Sequence, residues 1–135
     1  MSTRSQIKLK NSPDNIHVYK HSDGYPEGVL PVLVPFVAQF MESRGYDECY
    51  ILAQLVRRFA VEDYKAEIEF NAKHPNFPRN SSYEFLGWGL DCERHGDIEY
   101  LYEIGEDGSI WVNGKQLTKA QLKKYSTKLT KQEGA

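Results

Sequence analysis

The segment of residues 29–44 constrains the fold most, because its apolar residues recur at steps of three and four. This spacing predicts a helix with a broad buried face. Gly45 follows it and can take the left-handed conformation that ends a helix. Pro31 fits a first turn but Pro35 does not fit a helix interior, so the helix either begins near Pro35 or is kinked there. The apolar positions are Val29, Leu30, Leu33, Phe36, Val37, Phe40 and Met41.

A second helix is predicted after Asp47, which is a good capping residue. One apolar stripe follows it. Residues 60–72 also fit an alternating strand through Ala66, Ile68 and Phe70, but their helix-forming residues favour a continued helix. We expect the core to include Phe36, Val37, Phe40, Leu52, Leu55 and Phe59.

Strands are predicted on both sides of the helices. Residues 16–20 alternate between apolar and polar, and residues 83–90 contain two glycines that leave room for a neighbouring element. Residues 97–113 form a hairpin in which Gly108 takes the left-handed position. This loop pairs Ile104 with Ile110 and Tyr102 with Val112, which places the apolar residues on one face.

The order of elements, β-α-α-β-β-β, predicts an α+β fold: an antiparallel sheet of about four strands with two helices packed on one face. Residues 1–14 are polar and are interpreted as a flexible arm. Residues 15–114 would form a single domain, which suits a chain of 135 residues. Residues 115–135 would be a basic tail whose weakly amphipathic pattern is consistent with a short helix.

Charge is segregated along the chain. Residues 11–114 contain eight Lys and Arg against eighteen Asp and Glu, a net charge of -10, whereas both ends are basic. An acidic body disfavours nucleic-acid binding except through the basic tail. Cys49 and Cys92 do not make a disulfide framework, and we expect free thiols, at least one of them buried. The first ten residues lack an apolar run, so we expect a cytoplasmic protein without a membrane span.

Two short segments could carry chemistry. His21 and Asp23 lie between a strand and a helix start, and His95 and Asp97 lie among further carboxylates. If the strand of residues 16–20 pairs with the strand that begins at residue 97, all four side chains could form one catalytic or metal-binding site. Turn formation explains each segment without a ligand, and this is the interpretation we favour. Asp23 would then accept hydrogen bonds from N–H groups at the start of the first helix, and Asp97 would do the same at the start of its strand.

No phosphate-binding loop, dinucleotide fingerprint, nucleophile elbow or zinc spacing occurs, so no cofactor or metal is predicted. Without such a motif, a non-enzymatic binding protein is favoured over an enzyme. The acidic body would then recognise a protein partner. The candidate binding residues are Glu99, Glu103, Glu106, Asp107 and Tyr25.

Two sequence boxes carry a resemblance. Residues 19–26 read Y-K-H-S-D-G-Y-P and residues 95–100 read H-G-D-I-E-Y. They resemble the Y-[RK]-H-x-D-G-Y-P box and the H-G-D-I-E-Y strand of small uncharacterised proteins of bacteriophages, prophages and bacteria. By analogy with small acidic phage proteins, the resemblance implies a binding module acting on a host or phage protein, as an inhibitor or regulator. The alternative is a small hydrolase or a nucleotide-binding or metal-binding protein that uses the two His-Asp boxes.

Overall fold

The computed structural model describes residues 3–79 and 88–133, with side chains as far as Ser126. The fold is α+β, as predicted, and no helix in these residues is both long and apolar enough to cross a membrane. The elements are β1 (Ser5–Leu9), β2 (His17–Lys20), α1 (Pro26–Ser43), α2 (Glu48–Lys73), β3 (Trp88–Asp91), β4 (Tyr100–Ile104), β5 (Ile110–Val112), β6 (Lys115–Gln116) and α3 (Lys119–Glu133).

The strands form one mixed sheet in the order β3-β2-β1-β4-β5-β6. β1 and β4 are parallel, and the other neighbours are antiparallel. The prediction of an antiparallel sheet of about four strands is therefore wrong in strand number and in one pairing. The helices pack on one face, where Ile7, Val18 and Ile104 join the apolar side chains of α1 and α2.

The predicted flexible arm is wrong, because residues 5–9 form the strand β1 inside the sheet. Ile7 and Leu9 are buried against the helices, and Gln6 is buried on the opposite face. Only two of these five residues are apolar, so the sequence alone does not indicate a buried strand. The segment is buried because β2 and β4 lie on either side of it. β1 also separates β2 from β4, so the predicted pairing of residues 16–20 with the strand after residue 97 does not form.

The helix α1 begins at Pro26, so both Pro31 and Pro35 lie inside it, and the alternative in which the helix begins near Pro35 is wrong. Each internal proline removes one helical hydrogen bond, and the continuous buried face compensates for the loss. Gly45 ends the helix as predicted, with φ of +74° and its N–H donating to the carbonyl of Met41. α2 remains helical through Lys73, which confirms the helix over residues 60–72.

The hairpin between β4 and β5 has the predicted register, with Tyr102 opposite Val112 and Ile104 opposite Ile110. Gly108 has φ of +83°, which is the left-handed conformation predicted for it in the three-residue loop of residues 106–108. β4 begins at Tyr100 rather than at residue 97. Of the predicted strand 83–90, residues 83–87 lie outside the described residues, and the remainder belongs to β3.

The predicted core positions of α1 and α2 are all buried. The basic tail is not separate from the domain, because Leu117 and Tyr125 belong to the same core and the Tyr125 hydroxyl donates to Glu27 at 3.0 Å. Cys49 and Cys92 are free but both exposed, which corrects the expectation of a buried thiol.

The connection from β3 to β4 crosses the face of the sheet that the helices leave open. β3 and β4 are both parallel to β1, and two strands separate them. Residues 92–99, here called the crossing loop, must therefore pass β2 and β1, a lateral distance of about 14 Å at the usual strand spacing. The loop lies against Gln6 and Tyr19, which point away from the helices.

Candidate functional site

The crossing loop brings His95 against the phenol of Tyr19, which also contacts His21, so two of the four candidate residues lie beside this side chain. The Tyr19 hydroxyl lies 2.9 Å from Nδ1 of His21. The His95 ring packs against the same phenol, with ring centroids 5.0 Å apart. The two histidines therefore meet across Tyr19, although the strand pairing that we expected to join them does not form.

His95 lies between two carboxylates. Its Nε2 is 2.6 Å from Oδ2 of Asp91, and its Nδ1 is 3.9 Å from Oδ1 of Asp97. Asp97 also accepts a hydrogen bond from Arg4 at 3.2 Å. The ring of His95 is 37% exposed, so the group is at the surface rather than in an enclosed pocket. Asp91 thus takes the place in the cluster that the sequence analysis gave to Asp23.

Gln6 fixes the crossing loop beneath this cluster. Its Nε2 donates to the carbonyl of Glu93 at 3.0 Å, and its Oε1 accepts the N–H of His95 at 3.0 Å. Asn15 adds a third contact by donating to the carbonyl of Cys92 at 2.7 Å. The position of His95 is therefore set by side chains from β1 and from the loop between β1 and β2.

Asp23 belongs to a tight turn before α1 and is absent from the described contacts of this cluster. Its φ of +55° is left-handed, and a Cβ on Gly28 would lie 2.3 Å from the Asp23 carbonyl oxygen. Gly24 is equally constrained, since a Cβ there would approach the Ser5 side chain to 2.6 Å. The hydroxyl of Tyr102 donates to the Gly24 carbonyl at 2.7 Å. Close packing thus accounts for Asp23 and Gly24 of the first box and for Gly28 just beyond it.

Neither local role suggested for the two aspartates occurs in the described residues. We expected Asp23 to accept N–H groups at the start of α1, but Tyr25 is the N-cap residue and makes no side-chain cap there. We expected Asp97 to hold the start of its strand, but the Glu99 N–H donates to the backbone carbonyl of Arg4 instead. The Asp97 side chain pairs with Arg4.

Two buried ionisable groups on β2 were not singled out by the sequence analysis. Burial lowers the pKa of His17, whose Nδ1 lies 3.1 Å from the Asn15 carbonyl oxygen. Burial also lowers the pKa of Lys20, and the carboxylates of Asp63 and Asp23 partly oppose this shift. The Lys20 ammonium lies 4.7 Å from the Trp88 ring centroid. The burial of His17 and Lys20 could not be predicted from the sequence, because it depends on the pairing of β2 with β1 and β1 was not recognised as a strand.

The candidate binding residues lie on different sides of the molecule. Glu103 on β4 is opposite Trp111 on the face without helices, and Glu99 precedes that strand. Glu106 and Asp107 are exposed at the turn of the hairpin. Tyr25 is at the start of α1, on the helical side, and is 40% exposed. Glu99 and Glu103 thus follow β4 toward the turn that holds Glu106 and Asp107, whereas Tyr25 lies apart from them on the helical side.

Within the described part of the chain, no three His, Cys, Asp or Glu side chains are grouped so that they could hold a metal ion. No family model, curated protein or solved structure matches the chain. The resemblance to phage and bacterial proteins therefore remains a prediction.

Proposed function

We propose that this protein is a non-enzymatic binding module that acts on a host or phage protein through an acidic hairpin turn. The turn comprises residues 105–109, and its two carboxylates, Glu106 and Asp107, are exposed. The main support for the proposal is that local hydrogen bonds fix the backbone of the turn that holds these two exposed carboxylates. A rigid charged loop loses little conformational entropy when it meets a partner.

Three hydrogen bonds fix the turn. The Gly105 N–H donates to the Ser109 carbonyl at 2.8 Å, and the Gly108 N–H donates to the Gly105 carbonyl at 3.0 Å. The Ser109 N–H donates to Oδ1 of Asp107 at 3.1 Å. Hydrogen bonds from Ser109 lower the pKa of Asp107, so this carboxylate stays charged in neutral solution.

The turn is also positioned against α1. A Cβ on Gly108 would lie 3.3 Å from Cγ of Met41 and 3.9 Å from Cγ1 of Val37, so this part of the turn packs closely on the helix. Glu103 continues the acidic surface along β4. The net charge of -10 over residues 11–114 would accelerate association with a basic partner surface.

The test begins with capture of partners from a host-cell lysate on the immobilised protein. The association rate of the purified partner is then measured for the wild type and for the double variant Glu106→Lys, Asp107→Lys. We expect association to slow in the variant and, for the wild type, with rising salt. Reversal of Glu99 and Glu103 should add to the effect.

The matched control is Glu69→Lys, at an exposed position near the end of α2, compared with the single turn variant Glu106→Lys, which makes the same change in net charge. The control should bind more rapidly than the turn variant. Equal association rates for these two single variants would contradict a role for the turn. Binding independent of salt would instead indicate an apolar patch.

A second candidate function, a small hydrolase or a nucleotide-binding or metal-binding protein, is favoured by one observation. The short contact between Asp91 and His95 could orient the imidazole as a general base beside Tyr19 and His21. In that case His21→Ala and His95→Ala would abolish hydrolysis or ligand binding, and the control His74→Ala would not. If the binding module is correct, both variants lower stability modestly and leave partner binding intact.

A further inference from the structure

A basic groove lies between α1 and α2, in a body whose net charge is strongly negative. Its volume is about 720 Å³, and Arg44, Arg57 and Arg58 are among the residues that line it. These are three of the eight Lys and Arg in residues 11–114. Glu42 also lines the groove and Arg44 is paired with Asp47, so Arg57 and Arg58 supply the net positive charge that favours an anionic occupant.

The arginine side chains are partly held in place. NH2 of Arg58 donates to Oε1 of Gln39 at 2.7 Å, which connects the two helices across the groove. The Arg44 guanidinium lies 4.1 Å from the ring centroid of Tyr50 and donates to Asp47 at 3.1 Å. Arg57 is exposed. Guanidinium groups fixed in this way can still donate further hydrogen bonds to carboxylates, because each carries five N–H groups.

Aromatic side chains supply an apolar surface beside the charges. Phe36 and Phe40 stack with ring centroids 5.6 Å apart and are 6% and 8% exposed. Tyr50 also lines the groove and is 46% exposed. Arginine with aromatic residues is the composition that dominates binding energy at protein interfaces.

We propose that this groove binds an acidic segment of a protein partner. Carboxylates of the segment would contact Arg57 and Arg44, and one apolar side chain would pack against Tyr50. This site is separate from the hairpin turn and has the opposite charge. It therefore goes beyond the function proposed above and can fail independently of it.

The surroundings favour a short acidic peptide over a nucleic acid. Glu42 lines the groove, and Asp47 and Glu48 lie at the start of α2 beside it. An extended polyphosphate would continue past the arginines onto these carboxylates and onto the acidic body, where repulsion opposes it. A peptide can place its few charges only where the arginines are.

The test uses the full chain and a short fluorescein-labelled peptide in which pairs of Glu flank one Leu and one Phe. Fluorescence anisotropy at low salt measures its affinity for the wild type, Arg57→Glu and Arg57→Gln. We expect a loss of about tenfold or more for Arg57→Glu, as for removal of a hydrogen bond between charged groups, and a smaller loss for Arg57→Gln. Phe40 is too buried to substitute without affecting stability, so Tyr50→Ala tests the apolar contact and should also weaken binding.

Lys65→Glu is the control, because it makes the same change in charge at an exposed position of α2 outside the groove. Circular dichroism verifies that each variant is folded. The proposal is wrong if Arg57→Glu and Lys65→Glu bind the peptide equally, or if the wild type shows no binding at low salt. It is also wrong if a single-stranded oligonucleotide binds more tightly than the peptide and loses affinity in Arg57→Glu.

Discussion

The side chain of Gln6 accepts the N–H of His95 at 3.0 Å, and this contact fixes the crossing loop to the centre of the sheet. The same side chain donates to the Glu93 carbonyl, so the oxygen and the nitrogen of its amide group each make a hydrogen bond. Gln6 is completely buried. A polar residue in the first strand thus determines where the second His-Asp box lies.

We predict that Gln6→Leu destabilises the fold and displaces the crossing loop. The substitution leaves the part-buried Glu93 carbonyl and His95 N–H without their partner, at a cost of up to about 1–3 kcal/mol for each group that water does not reach. Urea denaturation measures the loss. Gln116→Leu, at an exposed position of β6, is the control and should change stability little. Equal stability of the two variants would show that water replaces the Gln6 contacts.

Gly24→Ala should also destabilise the fold, because the new methyl group has no space. Its Cβ would lie 2.6 Å from Oγ of Ser5 and 2.8 Å from the carbonyl oxygen of Thr3, and the backbone there is held by the Tyr102 hydroxyl. Overpacking of this kind costs about 1–3 kcal/mol. Gly96→Ala is the matched control, since its Cβ meets nothing within 4 Å. Thermal unfolding of both variants measures the difference, and a stable Gly24→Ala protein would contradict the packing described for this turn.

The hairpin between β4 and β5 and the strand β1 show what could be predicted from the sequence and what could not. The hairpin register followed from local turn chemistry, because Gly108 and the alternation of apolar residues determine it together. The central strand β1 did not, because Gln6 is buried only through a loop almost ninety residues further along the chain. The sequence joined His21 and His95 only on the condition that residues 16–20 pair with the strand after residue 97, and that pairing does not form.

Asp91 shows a further limit of the sequence. It was one of several carboxylates near His95, and sequence spacing alone gave no reason to prefer it to Asp23. Its contact with His95 arises because β3 ends beneath the crossing loop, and this arrangement depends on the strand order. Asp91 was not predicted as the partner of His95 because the sequence did not reveal β1 and therefore did not give the strand order.

We predict that acid lowers stability partly through His17. Its pKa is lowered in the folded state by burial, which outweighs the opposing hydrogen bond with the Asn15 carbonyl. Lys8 and Arg94 lower the pKa further, and Asp91 raises it. The unfolded chain therefore binds more protons as pH falls below the ordinary value of 6.5, and the free energy of unfolding decreases. Above that pH the contribution is constant.

The measurement compares urea unfolding of wild type and His17→Gln between neutral and mildly acidic pH. The wild type should lose more stability than the variant over this range. His74→Gln is the control, because His74 is exposed and should retain the pH dependence of the wild type. Identical pH profiles for wild type and His17→Gln would show that folding does not lower the pKa of His17.

Leu55→Ala tests the core between α2 and the sheet. Leu55 is completely buried, and removal of its side chain should cost about 2–5 kcal/mol. Val61→Ala, at a more exposed position of the same helix, should cost much less. A loss near zero for Leu55→Ala, measured by urea denaturation, would mean that this face of α2 is not packed against the core.

Lys20 gives the last prediction, because its ammonium is buried among aromatic rings. The residue is 8% exposed, and the ammonium lies 4.7 Å from the Trp88 ring centroid and 5.8 Å from that of Phe59. Lys20→Met keeps the apolar stem against these rings and removes the cost of burying a charge. We expect the variant to be as stable as the wild type or more stable by about 1 kcal/mol, as when buried charges are replaced by apolar groups of similar volume.

The pH dependence distinguishes this explanation from a general packing effect. Burial lowers the pKa of Lys20 below its ordinary value of 10.5, so the unfolded chain binds more protons between the two pKa values. Wild-type stability therefore gains relative to Lys20→Met as pH rises toward 10.5, and the advantage of the variant shrinks. Lys65→Met, at an exposed position, should show no such trend relative to the wild type. A large loss of stability in Lys20→Met at neutral pH would mean that attraction to Asp63, Asp23 and the rings exceeds the cost of burying the ammonium.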